Sequence, residues 1–396
     1  MEIIKSYKIR LKPTEEQEIL FKKSVGVRRF IYNWCIEQEL NSYKFIHIGE
    51  LRKRITVMKK QEDYKFLNEV SSNVIKQAAK DLDIAYTRYF NLIKQKGYMK
   101  YSEKTIQRAK EQNKTLIIYD SYGYPNFKKK GRHNSFYVNY ESMKKKPNGV
   151  QCEKLGIIRT SEPLPNIKDK HYVNPHIVYD NKYWYIAFGV RMNIEDPKDN
   201  TDEIVGVDLG IKNLATCSNG MVFENINKTN RVKRIKKRLK RLQRKSSRKQ
   251  RLNLNKETKN NNKIKKQIAL LYRKLTNIRE DHMFQKINTL VRTKPKRIIV
   301  EDLNIKGMMK NKYLSKAVAE QRFYKFLGIL EFKCQMHFID FVKADRFYPS
   351  SKLCSCCGNI KKDLRLKDRI YKCERCGLVI DRDLNASINL ANYTLV

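Results

Sequence analysis

The stretch from Cys354 to Leu390, CSCCGNIKKDLRLKDRIYKCERCGLVIDRDLNASINL, constrains the fold more tightly than any other part of this chain. Cys354 and Cys357 form one Cys-x-x-Cys knuckle, Cys373 and Cys376 form another, and fifteen residues separate the two. That spacing fits a four-thiolate zinc site, and a zinc shell closed by four sulfurs is structural, not catalytic. Gly358 and Gly377 follow the knuckles, where the chain must turn backbone N–H groups toward the thiolates. Cys356 lies inside the first knuckle and competes with Cys357 as a ligand. The remaining cysteines, Cys35, Cys152, Cys217 and Cys334, are isolated, so a disulfide framework is not expected.

The second constraint is charge. Lys and Arg total 85 against 41 Asp and Glu, a net of +44. Such an excess repels itself unless a polyanion lies against it, and nucleic acid is the commonest polyanion. From Lys228 to Arg251 the chain carries no acid and is more than half Lys or Arg, with Ile235, Leu239 and Leu242 as a thin apolar stripe. This run and the amphipathic segment 268–291 read as a helical hairpin whose cations face phosphates. No apolar run approaches the roughly 18–20 residues that span a bilayer. The start, MEIIKSYKIRLKP, lacks the apolar core of a signal peptide. The expectation is a cytoplasmic, nucleoid-associated prokaryotic protein with no membrane partner.

At 396 residues there is room for two or three domains. Thr14 and Gln17 spell a capping box ahead of a helical run, and Val74, Ala78, Leu82, Ala85 and Tyr89 recur at helical spacing. Between 115 and 195 the texture becomes β-rich, in KTLIIYD, NSFYVNY and HIVYDNKYWYIAFGV, the last with a turn at Asp180-Asn181-Lys182. The opening strand IIKSYKIRL has the same character, so the helices read as an insertion into a β-barrel. NKETKNNNKIKK is the one low-complexity stretch, and a single helix is expected over 317–338.

Three acids stand at strand ends or a helix start. Asp208 sits in the apolar strand IVGVDLG, Glu301 closes RIIVE, and Asp383 begins the last helix with Asp381 two residues before it. A charge in an apolar strand needs a partner or a metal. The order of strands and helices around these acids is that of a ribonuclease H-like nuclease. Three such carboxylates can hold two divalent cations about 3.5–4 Å apart for phosphodiester hydrolysis. Oxygen donors suit Mg²⁺ or Mn²⁺. Each acid alone has an ordinary alternative: Asp383 a helix cap, Glu301 a lysine partner.

The motifs YKIRLKPTEEQ, GVRRFIYN, YPNFKKKGRHNSF, GVDLGIKNLAT, NIREDHMFQKINTLV, IIVEDLNIKGM, ADRFYPSSKLCSCCG and YKCERCGLVIDRDLNASINL run through nearly the whole chain. With them the chain resembles the TnpB family, transposon-encoded RNA-guided DNA endonucleases related to miniature type V CRISPR effectors. The resemblance implies a multidomain α/β protein with four parts. These are a wedge β-barrel (1–12 and 106–200), an inserted helical recognition domain (13–105), a RuvC-like nuclease (201–345 and 377–396) and a zinc ribbon inserted at 346–376. It assigns the catalytic acids to Asp208, Glu301 and Asp383, through the pattern Asp-x-Asn-Ala-small-x-Asn, with Asp381 the competing choice. It also implies a guide RNA from the protein's own element and a double-stranded DNA target beside a short motif. The particle would be a monomer on one RNA. Lys128, Lys129, Lys130 and Arg132 in one loop, and Arg234, Lys237, Arg238 and Arg241 in the basic hairpin, would then touch nucleic-acid backbones. The alternatives are a guided DNA binder that does not cut, a transposase acting without RNA, and a CRISPR effector of the same fold.

Overall fold

The computed structural model describes the chain except residues 43–44, 98, 117, 132, 167–171, 255–256, 366–367 and 395–396. It divides into two compact units, residues 2–193 and, with Met1, residues 194–396.

The first unit is built on seven strands: β1 (Glu2–Lys12), β2 (Ser135–Tyr137), β3 (Lys144–Lys146), β4 (Gly149–Cys152), β5 (Gly156–Thr160), β6 (Tyr172–Tyr179) and β7 (Trp184–Asn193). They pair antiparallel in the order β2-β6-β7-β1-β5-β4-β3. Alternation puts Trp184, Ile186, Phe188 and Val190 on one face, where they bury against Ile9, Leu11, Ile158 and Ile177. The Asp180 carboxylate accepts the Lys182 and Tyr183 N–H groups at 3.1 and 2.9 Å, making the expected turn between β6 and β7.

Four helices follow β1: α1 (Glu15–Leu40), α2 (Ile48–Met58), α3 (Ser72–Lys96) and α4 (Glu103–Glu111). The capping box forms as read, with Gln17 N–H donating to Thr14 Oγ1 at 3.3 Å and Thr14 N–H to Gln17 Oε1 at 3.1 Å. Ile31, Cys35, Ala78, Leu82, Tyr86 and Tyr89 join α1 and α3 in one core. KTLIIYD departs from its β reading, because residues 118–120 form a 3-10 turn. Just past that stretch the chain is held by tertiary bonds: Ser121 Oγ meets Tyr89 Oη at 2.7 Å and Tyr124 Oη meets Tyr86 Oη at 3.0 Å. Of NSFYVNY only Ser135–Tyr137 is strand.

The second unit opens with β8 (Ile204–Leu209), β9 (Asn213–Cys217) and β10 (Val222–Glu224). The basic helix α5 (Asn230–Leu252) then packs along α6 (Lys259–Val291) through Val232, Ile235, Leu239 and Leu275. Thr258 caps α6 by accepting the Asn261 N–H at 3.2 Å, so much of the Lys/Asn-rich stretch is helix. At about 1.5 Å per residue α6 is near 50 Å long, and its far end, Met283 to Val291, packs into the sheet core.

Next come β11 (Arg297–Glu301), α7 (Ile305–Met308), α8 (Ser315–Gln321), α9 (Phe323–Met336) and β12 (Asp340–Ala344). The helix expected over 317–338 is broken at Arg322, whose φ of 56° ends α8. The break lets the Arg322 guanidinium reach Glu280 at 2.9 Å and Thr276 at 3.1 Å. The chain closes with the small hairpin β13 (Ile370–Lys372) and β14 (Val379–Asp381), then α10 (Arg382–Ala391).

The sheet order is β10-β9-β8-β11-β12, with β8, β11 and β12 mutually parallel and the hairpin strands antiparallel. Val205, Val207, Ile298 and Val300 face the core shared with α6 and α9. The opposite face, through Ile299 and Ala344, packs on Leu390 of α10.

Candidate active site and metal centre

The register of two parallel strands fixes where the first two acids go. Val207 of β8 lies opposite Val300 of β11, so the next residue on each strand is Asp208 and Glu301. Side chains alternate along a strand, so Asp208 shares a face with Gly206, and Glu301 with Ile299. Both of those residues face α10. A Cβ built on Gly206 would stand 1.9 Å from the Ser387 carbonyl oxygen and 2.5 Å from the Ala391 nitrogen. No side chain but hydrogen fits there, and this is what admits the helix. Asp383 lies one helical turn before Ser387, on the side toward Asp208.

The three acids sense one another. Burial first, then the Glu301 and Asp383 carboxylates, push the Asp208 carboxyl well above its ordinary value, while the Arg382 guanidinium pulls it back. Glu301 is raised mainly by burial and further by Asp383, against the opposing pull of the Ser350 hydroxyl and Arg382. Ser350 is buried and its hydroxyl donates to Glu301 Oε1. Arg382 donates to the Arg365 carbonyl at 3.1 Å and the Asp368 carbonyl at 3.3 Å.

Asp381 and Asp383 are separated by capping. Asp381 Oδ1 accepts the Asp383 and Leu384 N–H groups at 2.9 and 3.2 Å, and Lys212 stands 3.9 Å away. Asp381 is therefore the cap of α10, and the capping alternative for Asp383 falls on its neighbour.

The helix is tied down from its other side by two asparagines. Asn385 Nδ2 donates to the Leu353 carbonyl at 2.7 Å, and its Oδ1 accepts the Ser355 N–H at 3.0 Å. Asn389 Nδ2 donates to the Ser350 and Leu353 carbonyls, both at 2.7 Å. Both asparagines are buried, so these bonds satisfy groups that water cannot reach. Reading the sequence missed Gly206, Ser350 and Arg382; Asn385 and Asn389 entered it only as members of the pattern that assigns Asp383, with no role of their own.

Cys354, Cys357, Cys373 and Cys376 converge, with all four sulfurs within 4.8 Å of one another. The sulfurs of Cys354 and Cys376 lie 3.5 Å apart and those of Cys357 and Cys373 3.6 Å apart, close to the edge of a zinc tetrathiolate, about 3.8 Å for Zn–S near 2.3 Å. Gly358 and Gly377 adopt φ of 71° and 74°, and their N–H groups return to the Cys354 and Cys373 carbonyls at 3.0 Å. The Cys376 N–H is the first cause holding the Cys373 thiol down to about 6. Cys356 is exposed and stands outside the cluster. The donor set could hold zinc. The carboxylate set offers only oxygen donors, the kind a hard divalent cation takes, although among the described residues only the four cysteines bring their ligand atoms within 4.8 Å of one another.

The basic candidates part company. Arg234, Lys237, Arg238 and Arg241 are exposed on α5 at spacings of three and four, opposite its buried stripe. None has a carboxylate partner among the described residues. Lys129 and Lys130 are exposed, whereas Arg132 lies outside the described residues. Lys128 is turned inward: its ammonium sits 3.4 Å from the Tyr32 ring centre and 3.8 Å from Asp81. Burial brings it down to about 8, so this lysine serves the packing of the first unit and presents no free charge to a phosphate.

Three family models match the chain. One described as a helix-turn-helix domain covers residues 1–45, one described as probable transposase covers 187–312, and the Cas12f1-like TNB domain covers 323–390. The first name notwithstanding, residues 2–40 form one strand and one helix. A Streptomyces pristinaespiralis protein provisionally named RNA-guided DNA endonuclease is 28% identical, covering 98% of this chain and 89% of its own. The Escherichia coli protein InsQ, with the same provisional name, is 24% identical over 98% of this chain and 92% of its own. TnpB-like protein L79 of Acanthamoeba polyphaga mimivirus is 25% identical over 99% and 74%. Among solved structures, CasPhi-2 (Cas12j) bound to crRNA aligns over 98% of both chains at 12% identity. Its TM-score is 0.45, a likeness too loose to argue from. The chain is thus similar, almost end to end, to proteins named RNA-guided DNA endonuclease or TnpB-like, and three stretches of it match domain models of transposase and Cas12f1-like proteins.

Proposed function

We propose that this protein is an RNA-guided DNA endonuclease of a mobile element, and that Asp208, Glu301 and Asp383 are its catalytic carboxylates. The observation that carries the reading is the meeting of these three acids: two at the matched ends of parallel strands, the third in the first turn of the helix on that face. Two divalent cations bound there supply a Lewis acid for the attacking water and for the leaving oxygen of a phosphodiester. The protein's part is to hold three acids close enough to repel. Ser350 orients Glu301 by hydrogen bonding, and Arg382 offsets the excess negative charge. Zinc on Cys354, Cys357, Cys373 and Cys376 would be structural.

The second unit then serves as the RuvC-like nuclease (201–345 and 377–396) with its zinc ribbon (346–376). The first serves as the wedge barrel (1–12 and 106–200) with the helical recognition insert (13–105). The guide RNA, made from the protein's own element, and the duplex target lie against the free cations of α5, Lys129 and Lys130, one monomer per RNA. The test is to express the protein with its flanking DNA, sequence the RNA that co-purifies, and challenge the complex with Mg²⁺ and a plasmid library. The library carries a guide-matched site beside random bases. Cutting that depends on one short flanking motif supports the reading. A bound RNA and a footprint without cutting would make the protein a guided regulator, and no defined RNA would return it to direct transposition chemistry.

A further inference from the structure

Beside Glu301 lies a cavity of about 450 Å³ whose walls also include Phe347, Ser350, Lys352, Arg365 and Arg382. Its size suits one nucleotide. Phe347 is 88% exposed, in the turn between the edge strand β12 and the cysteine module. A mobile loop does not account for that exposure. Phe347 N–H donates to Asp345 Oδ1 at 2.7 Å, and Tyr348 N–H to the Asp345 carbonyl at 3.1 Å. On either side of the ring, Arg346 pairs with Asp302, and Tyr348 Oη donates to the Asn389 carbonyl at 3.0 Å. The turn is fixed and the ring is presented to solvent.

Two other lining residues have the opposite character. Arg365 is exposed, and its guanidinium has no carboxylate partner among the described residues. Among the described residues the Lys352 ammonium makes only a long contact, 3.4 Å, to the Lys362 carbonyl. A phosphate approaching Glu301 and its neighbours is repelled by them, so something in the same cavity must hold the strand. Cations and an aromatic face lining one cavity are the two elements that bind single strands without regard to sequence.

We propose that this cavity takes one unstacked nucleotide of single-stranded DNA, with its base on the Phe347 ring and its phosphate toward Lys352 and Arg365. The adjoining phosphodiester then faces Glu301. The inference rests on the nuclease reading above, and it makes the site selective for strands already opened, because a paired base cannot reach the ring.

The test uses the full-length protein with its co-purified RNA and a matched duplex. Phe347→Ala should lower cleavage kcat/KM by about five- to hundredfold, the loss of one base–aromatic stack, with guide-dependent target binding unchanged. Phe347→Trp should restore cleavage and Phe347→Leu should not. In an Asp208→Ala background, 2-aminopurine placed beside the cut position should be quenched, and adding Phe347→Ala should abolish the quench. Wild-type cleavage together with undiminished quenching in Phe347→Ala overturns the subsite. Equal loss in the Ala and Trp variants also overturns it, since the position would then be structural. If Asp208→Ala still cuts, the nuclease assignment fails instead, and the fluorescence alone decides the subsite.

Discussion

Replacing Gly206 by alanine tests how the site is assembled, because it adds one methyl group and removes no titratable side chain. That methyl would stand 1.9 Å from the Ser387 carbonyl oxygen, 2.5 Å from the Ala391 nitrogen and 2.9 Å from Leu390 Cβ. Two of these are backbone atoms, so no side-chain rotation relieves the clash. Restoring ordinary contact, at 3.4 Å or beyond, requires α10 to withdraw by about 1.5 Å, and Asp383 travels with it. Overpacking of this kind costs about 1–3 kcal/mol, or roughly 2–10 °C in Tm for a unit of this size. Displacing a catalytic group by about 1 Å costs on the order of a hundredfold in rate. Gly206→Ala should therefore stay folded, bind its guided target, and cut about a hundredfold more slowly. Gly328→Ala is the control: a Cβ there meets nothing within 4 Å, and alanine suits the interior of α9. Single-turnover cleavage of a labelled duplex, beside melting curves, reads both effects. Wild-type cutting by Gly206→Ala would show that the place of α10 does not govern the chemistry.

Asp208 and Glu301 are held above their ordinary values, so without divalent metal the folded protein binds protons more tightly than the unfolded chain. Their contribution to stability is then fullest in acid and is lost as pH rises through the folded values. Asp208→Asn should accordingly melt higher than wild type at neutral pH in Mg²⁺-free buffer, with the gap closing toward about pH 4, and it should not cut. A lower melting point at neutral pH would contradict the repulsion argument. Replacing Arg234, Lys237, Arg238 and Arg241 together by alanine should reduce the slope of log affinity against log salt by about 3, while Lys128→Ala should leave it unchanged. Filter binding across a salt series measures both. Cys373→Ser should lower zinc content, soluble yield and cleavage together, and unchanged zinc in the purified protein would remove that residue from the ligand set.

The acids were readable because a charge in an apolar run stands out whatever its partners are. Asp208 in IVGVDLG and Glu301 in RIIVE needed only local context, and so did Thr14 with Gln17 and the turn at Asp180. What resisted reading depends on contacts across long stretches of chain. Gly206 is one small residue in a strand until Ser387 lies against it, and Ser350 is one serine among many until it reaches Glu301. Lys128 belongs to a run of three lysines, and only the arrangement of Tyr32 and Asp81 around it separates it from its neighbours. KTLIIYD was misread for a related reason: its β propensity is real, but the residues just after it, Ser121 and Tyr124, are bonded to tyrosines of α3, and the chain enters those contacts through a 3-10 turn.

The cysteine module and the acids are parts of one construction. Leu353 and Ser355 flank Cys354, and they are the residues that hold Asn385 and Asn389. A metal ion bound through Cys354 would fix the backbone on either side of that sulfur. The fixed backbone sets the two asparagines, the asparagines set α10 against β8 at Gly206, and the first turn of α10 carries Asp383. Ser350, at the start of the same segment, reaches Glu301 and also gives its carbonyl to Asn389. Two of the three acids thus depend on a loop that the cysteines close. A chain that must bring carboxylates together against their own repulsion needs rigid support behind them, and here that support lies largely in the segment that follows β12.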